Sequence, residues 1–127
     1  MIEQIQKFKS NTLAFEIIGG FDETDEKLAQ KLFQEKLNEG FEHVNVIFKL
    51  DEMKLSQTST KAFMEDIIWA IRNFKHIGNI AIVAHSKILK ALVPIDNFFF
   101  ERLQNGYEER YFDATQLDKA IAFVNAK

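Results

Sequence analysis

A serine, a histidine and a carboxylate stand directly beyond two apolar runs of this chain. His85 and Ser86 follow NIAIVA, and Asp51 follows VNVIFKL. In an acyl-transfer site, such a trio passes the hydroxyl proton to an imidazole that the carboxylate orients. Here His85 and Ser86 are adjacent, and no G-x-S-x-G turn surrounds the serine. Ser86 is explained more simply as the cap of the helical stretch KILKAL. The residues predict no catalysis.

Three histidines raise the question of a metal. His43 begins one strand and His85 ends its neighbour, which puts them at opposite edges of a parallel sheet. Six or so residues at ~3.3 Å each separate those edges. His76 reads as a helix-end residue, where a cation suits the dipole. Catalytic zinc needs three converging ligands, so no metal and no cofactor are expected. Gly19 and Gly20 lie between a strand and a helix, the location of phosphate-binding loops. They fit no G-x-G-x-x-G or Walker pattern, and the next helix opens on acids that repel phosphate. Ser56, Thr58, Ser59 and Thr60 open the second helix and serve as caps and turn residues. Ser56 and Ser59 are also candidate phosphosites, since a phosphate suits a helix N-terminus.

The elements that must position these residues follow from periodicity. MIEQIQKF and TLAFEII flank a short polar turn and predict a hairpin. FDETDEKLAQKLFQEKLNEG predicts a helix that opens on Asp22, Glu23, Asp25 and Glu26 and stops at Gly40. Val44, Val46, Phe48 and Leu50 alternate, a strand signal. TSTKAFMEDIIWAIRNF carries Phe63, Ile67, Ile71 and Phe74 at helical spacing. NIAIVA is a continuous apolar run, as in a strand covered on both faces. SKILKALVPIDNFFFERL is helical and split by Pro94. YEERYF predicts an edge strand, and DATQLDKAIAFVNAK a closing helix with Asp113 and Gln116 in a capping box. The order β, β, α, β, α, β, α, β, α implies an α/β fold: a mixed, mostly parallel sheet of about five strands flanked by helices.

The 127 residues are 46% hydrophobic and 28% charged, which predicts one domain over residues 1–127. A formal net charge of −3 with no Lys/Arg cluster speaks against nucleic acid. Cysteine is absent, which fits a reducing compartment. Neither a signal-peptide run nor a stretch of ~20 apolar residues is visible, so a cytoplasmic location is expected.

Several stretches, in this order, resemble the SpoIIAA-like family, relatives of STAS (anti-sigma antagonist) domains: FEIIGGFDETD, AFMEDIIWAIRNF, HIGNIAIVAH and EERYFDATQLDKAIAFV. The resemblance covers the chain from about Leu13 onward. Asp66 stands where the family pattern has an acid in the second helix, and Trp69 at an aromatic position one turn on. Phe112 and Ala120 match the last strand and helix. Asn73 replaces a frequent His, and His85 replaces an acid. Anti-sigma antagonists carry a D-S-[ST]-G-like turn; the corresponding KLSQTSTKAF lacks the Asp and the Gly. The resemblance implies a STAS/SpoIIAA-like fold and a non-enzymatic binding or regulatory role. That fold is similar to that of carriers of apolar ligands.

Phe98, Phe99 and Phe100 are consecutive on an expected helix whose residues turn ~100° each. With Ile95 and Leu103 they span roughly 200°, wider than a surface helix's apolar stripe. Three coverings compete: a homodimer or the other half-helix, an apolar ligand under a mobile helical lid of residues 86–103, or a membrane surface. The resemblance favours the last two together. The expected function is therefore binding of a small apolar or lipid-like ligand, with peripheral membrane association. The expected ligand wall comprises Asp66, Trp69, Asn73, His85, Leu89, Phe98, Phe99 and Phe100. Trp69 serves equally as cover for a neighbouring element. The alternative function is a protein-interaction or regulatory module resembling an anti-sigma factor antagonist.

Overall fold

A strand whose two faces are both apolar is stable only when both faces are covered, and this condition organises the sheet. The computed structural model describes residues 1–18, 22–52, 76–85 and 109–125. They form β1 (Ile2–Lys7), β2 (Thr12–Ile18), α1 (Glu23–Asn38), β3 (Val44–Glu52), β4 (Ile77–Ala84), β5 (Glu109–Asp113) and α2 (Leu117–Asn125). The five strands lie in sequence order. β1 and β2 are antiparallel, and the β2–β3, β3–β4 and β4–β5 pairs are parallel. This is the mixed, mostly parallel sheet expected from the sequence. YEERYF yields the edge strand Glu109–Asp113. The expected helices over residues 58–74 and 86–103 lie outside the described residues.

The alternation in β3 assigns its two faces. Val44, Val46, Phe48 and Leu50 join Leu13, Phe15 and Ile17 of β2, Ile80 and Ile82 of β4, and Ala29 and Phe33 of α1. Phe15 and Phe48 stack at 5.9 Å between ring centres. Ile47 faces the other way and packs with Ala14, Ala81, Val83 and Ala120 and Val124 of α2. β4 is buried almost throughout, which accounts for its unbroken apolar run.

α1 is tied to the hairpin at both ends. Asp22 and Asp25 form a capping box, each carboxylate accepting from the other's backbone N–H at 3.0 Å. Asp25 also accepts from Ile2 N–H at 3.0 Å and pairs with the N-terminal ammonium at 3.2 Å. Burial pushes this carboxyl up, but the Asp22 N–H, the ammonium and the Ile2 N–H outweigh it and hold Asp25 below its ordinary value. At the other end the buried Lys36 donates to Phe8 O at 2.6 Å and Ser10 O at 2.7 Å. Gly40, at φ 102°, then supplies the left-handed residue that ends the helix. The closing helix differs from expectation in its first turn. Its Asp113–Gln116 capping box is present, but it closes a tighter 3-10 turn, Ala114–Gln116, before α2 begins.

The amino edge of the parallel strands is held by buried amides. Asn45 Nδ2 donates to Val124 O at 2.5 Å, and its Oδ1 accepts from Asn79 N–H at 2.7 Å. Thr12 and Ser10 donate their hydroxyls to Asn125 Oδ1 at 2.8 and 3.0 Å. Replacing Asn45 by Ala leaves the Asn79 N–H and the Val124 carbonyl without these partners. A loss of roughly 3 kcal/mol is expected, because each unsatisfied buried group costs about 1–3 kcal/mol. Urea unfolding checks it: the midpoint falls while the slope stays that of the wild type.

Candidate functional site

Parallel strands present their last residues at one edge, and ligands of open α/β sheets bind there. At this edge β4 ends at Ala84, in register with Asp113, the last residue of β5. His85 follows Ala84 and is exposed. Asp113 is half-buried and already engaged, accepting from Thr115 N–H at 3.0 Å and from Thr115 Oγ at 2.7 Å. Those two hydrogen bonds, led by the hydroxyl, hold its carboxyl below the ordinary 3.8, with a smaller contribution from the nearby His85. Asp113 is thus a helix cap that also sits beside an exposed imidazole. Its lowered carboxyl, with Oδ2 accepting both bonds, suits it to orienting α2 rather than to taking protons.

Behind this edge, on the α2 side of the sheet, Glu16 and Lys49 stand in register on β2 and β3 and pair at 4.0 Å. Each side chain is only about one-fifth exposed, at 22% and 21%. Glu3 of β1 is in register with Glu16 and exposed. The carboxyl half of this face therefore carries charge, while Ala14, Ile47 and Ala81 make its centre apolar.

Of the expected ligand wall, His85 is described, and it stands at the carboxyl edge. Asp66, Trp69, Asn73, Leu89, Phe98, Phe99 and Phe100 lie outside the described residues. So do the candidate phosphosites Ser56 and Ser59, as well as Ser86 and the side chain of Asp51. A groove of about 190 Å³ runs between the hairpin and α1, lined by Gln4, Lys7, Phe8, Leu13, Leu32, Glu35, Lys36 and Glu39. It is smaller than the ~300–1,000 Å³ of drug-sized sites, and its charged lining does not suit an apolar ligand.

Among the histidines, the expected separation of His43 from His85 follows from the parallel β3–β4 pairing. The same pairing produces a contact absent from the sequence reading. Val44 is in register with Ile77, so the residues just before them, His43 and His76, are neighbours, with ring centres 6.3 Å apart. The expected strand NIAIVA starts at Asn79, two residues after the observed start at Ile77, so aligning it with Val44 does not bring His76 beside His43.

The strand order, the single antiparallel pair and helices on both faces define a mixed α/β module of the STAS type. A profile of the SpoIIAA-like family matches residues 12–125, and the chain belongs to that family. No curated protein and no solved structure matches the chain. Among the described residues, no helix is long and apolar enough to cross a membrane. Family membership supports a regulatory or interaction module.

The Asp113 cap makes a pH-dependent contribution whose sign is fixed. Its folded carboxyl lies below the unfolded value, so its stabilisation is complete above the unfolded value and is lost as pH falls through the folded one. Asp113→Ala should melt earlier than wild type at neutral pH. That gap should narrow in acid, and thermal melts from pH 7 down to below 3.8 measure it; a gap that stays constant would contradict the assignment.

Proposed function

We propose that this chain is a non-enzymatic regulatory module that binds a protein partner at the carboxyl edge of its parallel strands. The observation that carries this reading is the match of residues 12–125 to the SpoIIAA-like family. The local geometry agrees with it. His85 is exposed at the end of a fully packed strand, and Asp113 beside it is fixed by its own cap. A rigid sheet carrying exposed polar groups on its edge loses little side-chain freedom on binding, which favours association. β3 ends at this edge and KLSQTSTKAF follows it in the sequence, so phosphorylation at Ser56 or Ser59 is the switch we assign to the module.

Binding of a small apolar or lipid-like molecule is the second reading, and it carries with it a helical lid and a membrane contact. The observation favouring it is the run Phe98–Phe99–Phe100 within an unusually apolar stretch. A photo-crosslinking residue placed at position 85, in cells expressing the chain, separates the readings. Position 31, exposed on α1, serves as the reference. A discrete protein adduct from position 85 and none from position 31 is the expected result. A lipid adduct at 85 would select the second reading, and identical patterns from both positions would sink the edge as a binding surface.

A further inference from the structure

The amino edge of the sheet, opposite the proposed partner surface, holds two histidines in a fixed relation. β3 and β4 are parallel, and Val44 pairs with Ile77, so His43 and His76 enter their strands side by side. Both backbones are pinned. The His76 carbonyl accepts from Val44 N–H at 2.8 Å, and the His43 carbonyl accepts from Asn11 Nδ2 at 2.8 Å. Val44 itself is fully buried. His76 is held at φ 69°, in the left-handed region that a non-glycine residue rarely occupies. Its side chain is exposed and that of His43 is half-buried, so solvent reaches the pair.

The separation of the rings has a chemical meaning. A divalent ion sits about 2.0–2.1 Å from an imidazole nitrogen and so roughly 3.2 Å from the ring centre. Two rings on one ion therefore have centres between about 5 Å, at a tetrahedral angle, and about 6.4 Å, when opposed. The observed 6.3 Å, with the ring planes at 70°, lies at the wide end of that span. The contact is edge-on, and at this separation two imidazoles on one ion stand nearly opposed, at roughly 160°, an arrangement open to a tetragonal ion such as Cu²⁺. Among the described residues no group of three or more His, Cys, Asp or Glu could hold an ion, so these two imidazoles are the ligands the described residues offer here.

We propose that His43 and His76 form a two-imidazole site for a borderline divalent transition-metal ion, with water completing its coordination. Imidazole suits copper, nickel and zinc, whereas magnesium and calcium take oxygen ligands. Affinity should follow the general order for nitrogen sites, with Cu²⁺ binding more tightly than Ni²⁺ or Zn²⁺. A bound ion would cross-link the starts of β3 and β4 and raise the melting temperature, with a stabilisation that grows as RT ln(1 + c/Kd), c being the free ion concentration. The site stands apart from the carboxyl edge, so it holds or fails independently of the function proposed above.

Calorimetric titration of the tag-free, chelator-treated full chain with Cu²⁺, and then with Zn²⁺, tests this. One ion per chain is expected, with Cu²⁺ the tighter. His43→Gln and His76→Asn should each weaken it by at least about tenfold, since even the loss of outer-shell partners costs 10–100-fold. Asn is chosen at position 76 because it tolerates the left-handed backbone. His85→Gln, which removes the histidine at the opposite edge, should bind like wild type. Spin resonance of the Cu²⁺ complex should show two ligating nitrogens, and one in His76→Asn. Metal-free melting of each variant shows whether its fold is intact; if His43→Gln unfolds, His76→Asn decides alone. Absence of binding by wild type, or undiminished affinity in His76→Asn, overturns the proposal.

Discussion

Both polar ends of the Asn45 side chain are spent on other parts of the chain, Oδ1 on the Asn79 N–H and Nδ2 on the Val124 carbonyl. The consequence reaches beyond those two bonds. A one-residue slip between buried strands is forbidden because it turns every side chain to the wrong face. A two-residue slip keeps the faces, and apolar packing alone opposes it weakly. A buried amide placed between β3, β4 and the end of α2 removes that freedom, since any slip strands its donor and acceptor. Gly78 makes the arrangement possible. A Cβ at that position would collide with Asn45 Oδ1, so only glycine lets the amide oxygen approach the neighbouring strand.

With the register pinned, the other elements follow from local rules that the sequence displays openly. The acids opening α1, the alternation of β3, the unbroken run of β4 and the capping box before α2 each correspond to one observed feature. What stayed hidden was relational. The burial of Lys36 could not be read from α1 alone, because a lysine in an amphipathic pattern belongs outside. It is buried because the turn between β1 and β2 offers two carbonyls to its ammonium group. The neighbourhood of His43 and His76 was hidden for the same reason, being a property of strand pairing rather than of either segment. For the candidate site, the edge position of His85 was legible, since it depends only on where a strand ends. The contacts expected of its partners involve Asp66, Trp69, Asn73, Leu89 and Phe98 to Phe100, which lie outside the described residues.

The two edges of the sheet differ in how their polar groups are used. At the amino edge Ser10, Asn11, Thr12, Asn45 and Asn125 are bonded to one another or to backbone. Such a network is costly to disturb, because each buried group it frees must be satisfied elsewhere. At the carboxyl edge His85 is exposed, and the Asp113 cap is partly open to solvent. A partner bound at the carboxyl edge, as proposed above, would leave the network that fixes the register untouched.

The charged pair Glu16–Lys49 marks where the cover supplied by α2 gives out. β3 runs for nine residues, about 30 Å of extended chain. α2 also has nine residues, but as a helix it extends only about 13 Å. It cannot cover the whole of the strand it packs on. The sheet responds residue by residue: Ala14, Ile47 and Ala81, under α2, are apolar, and the next inward-facing pair towards the carboxyl edge is Glu16 with Lys49. Two apolar residues there would leave a patch that needs a cover. A cross-strand ion pair, one-fifth exposed, instead tolerates water while its aliphatic stems still shield the sheet. The interruption is confined to β2 and β3: on β4 Val83, in register with Lys49, stays apolar and fully buried on the same face.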